Sequence, residues 1–170
     1  ASALDMFQYA QELGENRRAP PTDDITSIMM NAEVDGEQLT PQEFGSFFIL
    51  LVVAGNETTT KVINETFKLL LANPHWFARM QADPSVTPLV VEEALRLSSP
   101  NQGMFRFVKQ DTELGGVAIP RGAIVWVMLG SANRDEAVFR EPERFDIARK
   151  ENRHLAFGFG THYCLGSNLA

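Results

Sequence analysis

The feature that most constrains this chain is the run Phe47-Phe48-Ile49-Leu50-Leu51-Val52-Val53-Ala54. It lies inside a longer helical pattern. Thr40-Pro41-Gln42-Glu43 offers a hydroxyl at the N-cap, proline in the first helical position and glutamate where a capping box needs one. The pattern continues to Ala72, where Asn73-Pro74 stops it. Such a helix is about 48 Å long at 1.5 Å per residue. Its apolar run leaves no polar side, so the helix is expected to be buried on all faces, inside something large. A chain of 170 residues can be one domain or part of a larger one. This helix favours the second, and without its missing neighbours it would expose large apolar patches.

Composition narrows the function classes. Hydrophobic residues make up 44 % and charged residues 22 %, which is ordinary globular usage rather than that of a disordered chain. Fifteen Lys and Arg against 22 Asp and Glu leave a net charge of -7, which disfavours nucleic acid as a partner. The longest unbroken apolar run, residues 47–54, falls short of the roughly 20 residues of a spanning helix, so no membrane span is expected. Cys164 is the one cysteine, so there is no disulfide framework, which fits a reducing compartment such as the cytoplasm. Arg149, Lys150 and Arg153 stand against Glu151 alone in the last stretch and suggest a local basic docking surface on an acidic chain.

The rest of the chain reads as short helices, then strands, then coil. Ala19-Pro20-Pro21-Thr22-Asp23 breaks one helix and starts another, and Asp35-Gly36 is a turn. Helices are expected over 74–82 and from Thr87-Pro88 to Ser98. Strands are expected at 105–108 and 124–127, separated by turns at Gly115-Gly116 and Pro120-Arg121-Gly122. From Ala132 to Cys164 the pattern is mostly irregular, and irregular stretches of that length are uncommon unless they carry function.

A lone cysteine is usually a small buried hydrophobe. The surroundings of Cys164 argue for more: Phe157-Gly158-Phe159-Gly160-Thr161-His162-Tyr163-Cys164-Leu165-Gly166 is rich in glycines, which let a backbone approach a flat object closely. The residues after Cys164 read as a helix start, whose free N–H groups would stabilise a thiolate, the form that binds metal.

The pattern Phe-x-x-Gly-x-His-x-Cys-x-Gly resembles the proximal loop of the cytochrome P-450 family, the haem-thiolate monooxygenases. The resemblance implies a mainly α fold with small β-sheets, here a partial domain over 1–170 that lacks the N-terminal half and the extreme C-terminal part. It implies haem b as cofactor, with Cys164 as axial ligand, Phe157 packed near the sulfur, Gly160 and Gly166 in the cradle, and His162 at a propionate. Thiolate ligation favours O–O cleavage.

Other segments carry the same resemblance. Glu93 and Arg96 share a helix face at i, i+3, which alone suggests only a surface ion pair. They resemble the family's Glu-x-x-Arg helix, and Pro142-Glu143-Arg144-Phe145 would supply Arg144 as the third member of a structural network. Ala54-Gly55-Asn56-Glu57-Thr58-Thr59 could be small residues followed by a threonine bonded back to its own helix. It resembles the family's distal acid–alcohol pair. Ala54 and Gly55 would leave room for a flat cofactor, Thr58 would hold water and oxygen, and Glu57 would relay protons from solvent. Arg106, flanked by aromatics, would bind a propionate, and Met104 and Phe105 would line a pocket for an apolar substrate.

The function so implied is insertion of one oxygen atom of O2 into a hydrophobic substrate. Electrons would come from NAD(P)H through its reductase and a ferredoxin-type partner, docking near Arg149, Lys150 and Arg153. The segments 21–25, 32–37 and 54–59 resemble actinobacterial members that hydroxylate sterol side chains or branched fatty chains. Two alternatives are a haem-thiolate sensor or electron carrier without oxygenase activity, and an inactive fragment. Glu57 and Thr58 separate the first of these from the oxygenase, because a carrier needs no proton delivery.

Overall fold

The computed structural model describes residues 2–169. Its backbone contacts divide into two compact units, Ala1–Glu57 and Thr58–Ala170.

The first unit holds α1 (Ala3–Asn16), α2 (Ile25–Asn31) and a small hairpin of β1 (Glu33–Val34) and β2 (Glu37–Gln38). Ser2 and Asp5 form a capping box on α1, and Asp24 caps α2. The expected turn at Asp35-Gly36 closes the hairpin, with both residues at positive φ. The core is Ala10, Met30 and Phe44, flanked by Met29 and Phe48. Gly14 permits this packing: a β-carbon there would sit 2.9 Å from the Phe44 ring.

Helix α3 spans Pro41–Ala72, as the sequence predicts. Its capping box is present: the Thr40 N–H donates to Glu43 Oε2 at 2.8 Å and the Glu43 N–H donates to Thr40 Oγ1 at 3.2 Å. The Thr40 N–H, and after it the Thr40 hydroxyl that donates to the same oxygen at 2.8 Å, hold the Glu43 carboxyl below the usual glutamate range. Much of its apolar surface is exposed, as expected of a core helix without its neighbours. Phe44 and Leu70, near its two ends, are buried, whereas Leu50 is 61 % and Val53 55 % exposed. An apolar run is buried only where neighbours cover every side, and no described residue covers these. The eight-residue count also understated the helix. By length and composition alone α3 is long and apolar enough to cross a membrane, with a mean hydropathy of 1.2 over its most apolar stretch. Glu57 and Lys61 near its centre would each cost about 2.5–3.5 kcal/mol in a bilayer, so we read it as a core helix.

The second unit contains α4 (Pro74–Ala82), a 3-10 turn (Pro84–Val86) and α5 (Thr87–Ser98). Val90, Ala94 and Leu97 of α5 recur at helical spacing and pack with Leu70, Val86, Phe145 and Ile147. Trp76 closes this core, its indole N–H donating to the Phe145 carbonyl at 3.2 Å. Two antiparallel ribbons follow: β3 (Met104–Phe107) with β6 (Ile124–Val127), and β4 (Thr112–Leu114) with β5 (Val117–Ile119). The expected Gly115-Gly116 turn is the tip of the second hairpin, whose short strands sequence reading passed over. After α6 (Leu129–Ala132), the chain is coil and turn to residue 169, apart from a 3-10 turn at Gly160–His162. The helix expected to start after Cys164 is not formed among the described residues, which make successive turns instead. So few residues leave helix nucleation uncompensated by propagation.

Candidate functional site

Helix α5 presents Glu93 and Arg96 inward, their side chains 1 % and 0 % exposed. A buried pair survives only when every polar atom is served. Here Arg96 Nε and Nη2 grip both Glu93 oxygens at 2.8 Å, in a bidentate fork. Its remaining N–H groups reach three main-chain carbonyls: Asn133 at 2.8 Å, Pro142 at 2.7 Å and Arg144 at 3.2 Å. The Phe139 ring lies beside the guanidinium, 5.1 Å from its carbon. This is no surface ion pair: it holds the irregular segment after α6 in shape.

The expected third member is corrected. The Arg144 side chain is 57 % exposed and pairs with Glu141, contributing to the network only through its carbonyl. The guanidinium that reaches Glu93 is Arg149, at 3.4 Å and 10 % exposed. In irregular chain the direction of a side chain follows local turns rather than spacing, and here the turn aims Arg149 inward. Arg149 also donates to the carbonyls of Arg140, Glu141 and Arg144, which removes it from the expected basic docking surface. Lys150 and Arg153 remain exposed.

Asn133, which the sequence gave no reason to single out, links this network to the cysteine loop. It is fully buried, donates from Nδ2 to Ser99 Oγ at 2.8 Å and accepts the Leu155 N–H on Oδ1 at 2.6 Å. The loop then turns on Gly158 and Gly160, at φ 75° and 72°, where a side chain would be strained. The Phe157 carbonyl accepts the Cys164 N–H at 2.9 Å, closing the loop. Cys164 is a free, half-buried thiol. Phe159 at 88 % and Leu165 at 77 % are exposed, and His162 is exposed beside them.

On the β3–β6 ribbon side chains alternate between faces. Met104 and Arg106 share one face, where the guanidinium lies 2.9 Å from the methionine sulfur. Phe105 is on the other, its ring centroid 4.3 Å from that of Trp126 and its plane tilted by 52°. Met104 and Phe105 therefore do not line one pocket together. Arg106 also meets the Phe105 carbonyl and, among the described residues, no carboxylate. On α3, Ala54, Gly55 and Glu57 are exposed and Thr58 is half-buried in unbroken helix. A β-carbon on Gly55 would meet nothing within 4 Å.

The family whose sequence profile matches residues 85–170 is described as cytochrome P450. The chain belongs to the cytochrome P450 family. It is 46 % identical over 154 residues to the steroid C26-monooxygenase of Mycobacterium tuberculosis strain H37Rv, a match that covers 91 % of this chain and 39 % of that protein. It is 47 % identical over 170 residues to the methyl-branched lipid omega-hydroxylase of the same strain, covering 99 % and 40 %. Among solved structures, CYP109E1 from Bacillus megaterium in complex with corticosterone superposes with a TM-score of 0.93 at 41 % identity, covering 98 % of this chain and 45 % of that one. The chain thus spans about two fifths of the length of the curated relatives it matches. The fold is a P450 fold, mainly helical with small antiparallel sheets.

The residues present fit the haem of that family. Among the described residues no three His, Cys, Asp or Glu side chains group to hold an ion. A single cysteine suits a metal whose other ligands come from an organic ring. β-Carbons added at Gly160 and Gly166 would meet nothing within 4 Å, which leaves open space along the loop. Among the described residues, no carboxylate neutralises the Arg106 guanidinium.

Proposed function

We propose that this chain is the part of a bacterial haem-thiolate monooxygenase domain that carries the oxygen-side helix, the Glu-x-x-Arg helix and the cysteine loop. The observation that most supports it is Cys164, a free thiol at the end of a loop turned by two glycines at positive φ. The remainder of the domain covers the exposed side chains of α3, where burying Leu50 and Val53 is worth about 1.5–3 kcal/mol each. Bound haem b supplies the redox chemistry by which one atom of dioxygen enters a C–H bond of a hydrophobic substrate and the other leaves as water, with electrons from NAD(P)H by way of a reductase and a ferredoxin-type partner.

The chain's own residues bind, orient and deliver protons. Cys164 Sγ binds as thiolate, and Phe157 shields the sulfur from water. Arg106 and His162 bind the propionates, while Gly160, Gly166, Ala54 and Gly55 leave room for the ring. The Glu57 carboxyl takes a proton from solvent and passes it towards Thr58 Oγ1, which orients it at the oxygen side. Met104, on the Arg106 face, contacts substrate. Lys150 and Arg153 attract an acidic redox partner, and the enzyme works in the cytoplasm. The names of the two mycobacterial relatives, and the corticosterone bound to the B. megaterium structure, support a sterol or methyl-branched lipid as substrate.

The test is optical. Haem-loaded protein, reduced and exposed to carbon monoxide, is expected to give the strongly red-shifted Soret band of thiolate ligation, and Cys164→Ser to lose it. A wild-type spectrum without that band, or a serine variant that keeps it, overturns the proposal.

A further inference from the structure

We infer that Glu92 and His154 form a latch that positions the cysteine loop through Phe157, an inference that rests on the haem-thiolate reading. Neighbouring glutamates of α5 take different directions. Glu93 enters the buried network, whereas Glu92, 51 % exposed, meets His154 with Oε2 at 3.0 Å from Nε2. The histidine side chain is itself 4 % exposed. Its Nδ1 accepts the Ala156 N–H at 3.2 Å, so the hydrogen on the ring belongs on Nε2, which donates it to Glu92. Both ring nitrogens are used, and the imidazole plane is fixed at both edges.

The fixed ring has one consequential neighbour. Its centroid lies 6.0 Å from that of Phe157, which lies 6.2 Å from Tyr163. The Phe157 carbonyl is the group that holds the Cys164 N–H. A cavity of about 280 Å³ opens beside these rings, lined by Glu92, His154, Phe157 and Tyr163 among others. Packing alone therefore does not confine the Phe157 ring, and the two hydrogen bonds on His154 supply the constraint. The second glutamate of α5 acts on the same segment: Glu93 Oε2 accepts from Asn152 Nδ2 at 3.3 Å. Helix α5 thus grips the approach to the loop at residues 152 and 154, and only the second grip reaches the ring that shields the sulfur.

The experiment uses haem-loaded protein and two readouts besides turnover: transfer of haem to a competing acceptor protein, and the balance of thiolate-type and thiol-type bands in the carbonyl adduct. Glu92→Ala removes the acceptor from a half-exposed position and leaves no internal void. His154→Phe keeps a ring but makes neither hydrogen bond. Glu92→Gln keeps an acceptor oxygen. Loss of a partner that orients a metal ligand's surroundings typically costs about 10–100-fold. The alanine and phenylalanine variants are expected to release haem about tenfold faster and to show more of the thiol-type band, and the glutamine variant to match wild type. If Glu92→Ala and His154→Phe release haem and absorb as wild type does, the latch is refuted, whatever their thermal midpoints. Failure of Glu92→Gln to rescue refutes it as well. If wild type itself gives no thiolate-type band, the haem-thiolate reading fails first and the latch falls with it.

Discussion

Arg149 and Arg144 lie five residues apart in the same irregular segment, and the structure assigns them opposite weights. Replacing each by Met tests that assignment. Arg149 is 10 % exposed and stands 3.4 Å from Glu93, itself 1 % exposed. Removing one member of a buried ionic cluster costs about 3–5 kcal/mol. Glu93 keeps the bidentate Arg96 and the Asp146 N–H, so the loss belongs at the low end, about 3 kcal/mol, or roughly a hundredfold in the folding constant. Arg144 is 57 % exposed, as is its partner Glu141, and the pair meets at 3.2 Å. An exposed pair of that kind is worth about 0–1 kcal/mol, and the Arg144 carbonyl that serves Arg96 survives the substitution. The expected gap between the variants is about 2 kcal/mol or more. Urea unfolding of haem-loaded protein, followed by tryptophan emission, reads it, because Trp76 is bonded to the Phe145 carbonyl inside this segment. A shift for Arg144→Met equal to or larger than that for Arg149→Met, at unchanged slopes, would refute the reasoning.

Two other perturbations follow from the helices. The Glu43 carboxyl is held below its ordinary range by Thr40, so its folded-state pKa lies under its unfolded one. The stability it lends to the start of α3 is present above the usual glutamate range and is lost as pH falls through the depressed value. Amide exchange of residues 43 and 44, corrected for intrinsic rates, is expected to show that loss in wild type and not in Glu43→Gln, and equal profiles would remove the capping argument. Replacing Thr58 by Ala is expected to lower product formed per electron consumed while oxygen uptake continues, about 10²–10⁴-fold being the usual reach of a positioned proton donor. Unchanged coupling would refute the role assigned to Thr58.

The start of α3 was legible because its signals are local: a hydroxyl, a proline and a glutamate within four positions dictate one cap. The same holds for α5, where apolar residues recur at helical spacing, and for the loop before Cys164, whose glycines mark the turns. What the sequence hid depends on long separations. Nothing local says that Asn133 receives the Leu155 N–H, that Glu92 meets a histidine 62 positions later, or that Arg149 rather than Arg144 turns inward. The β4–β5 hairpin was missed for a different reason: strands of three residues, nearly all exposed, leave no room for an alternating pattern to develop. The exposure of α3 was legible too, because an apolar run reports what a helix requires of its neighbours, and a run without them stays uncovered.

Arg96 and Arg149 clasp carbonyl oxygens at 133, 140, 141, 142 and 144, atoms that every amino acid possesses. The contour of that stretch is consequently decoupled from most of its lettering. Outward-pointing positions such as Arg140 and Glu143 can be rewritten with little effect on shape, whereas adding or deleting a single residue there would throw each oxygen off its donor. An engineer seeking new surface chemistry next to the cysteine loop would substitute at those outward positions, leave Asn133 and Phe139 alone, and never change the length of the stretch.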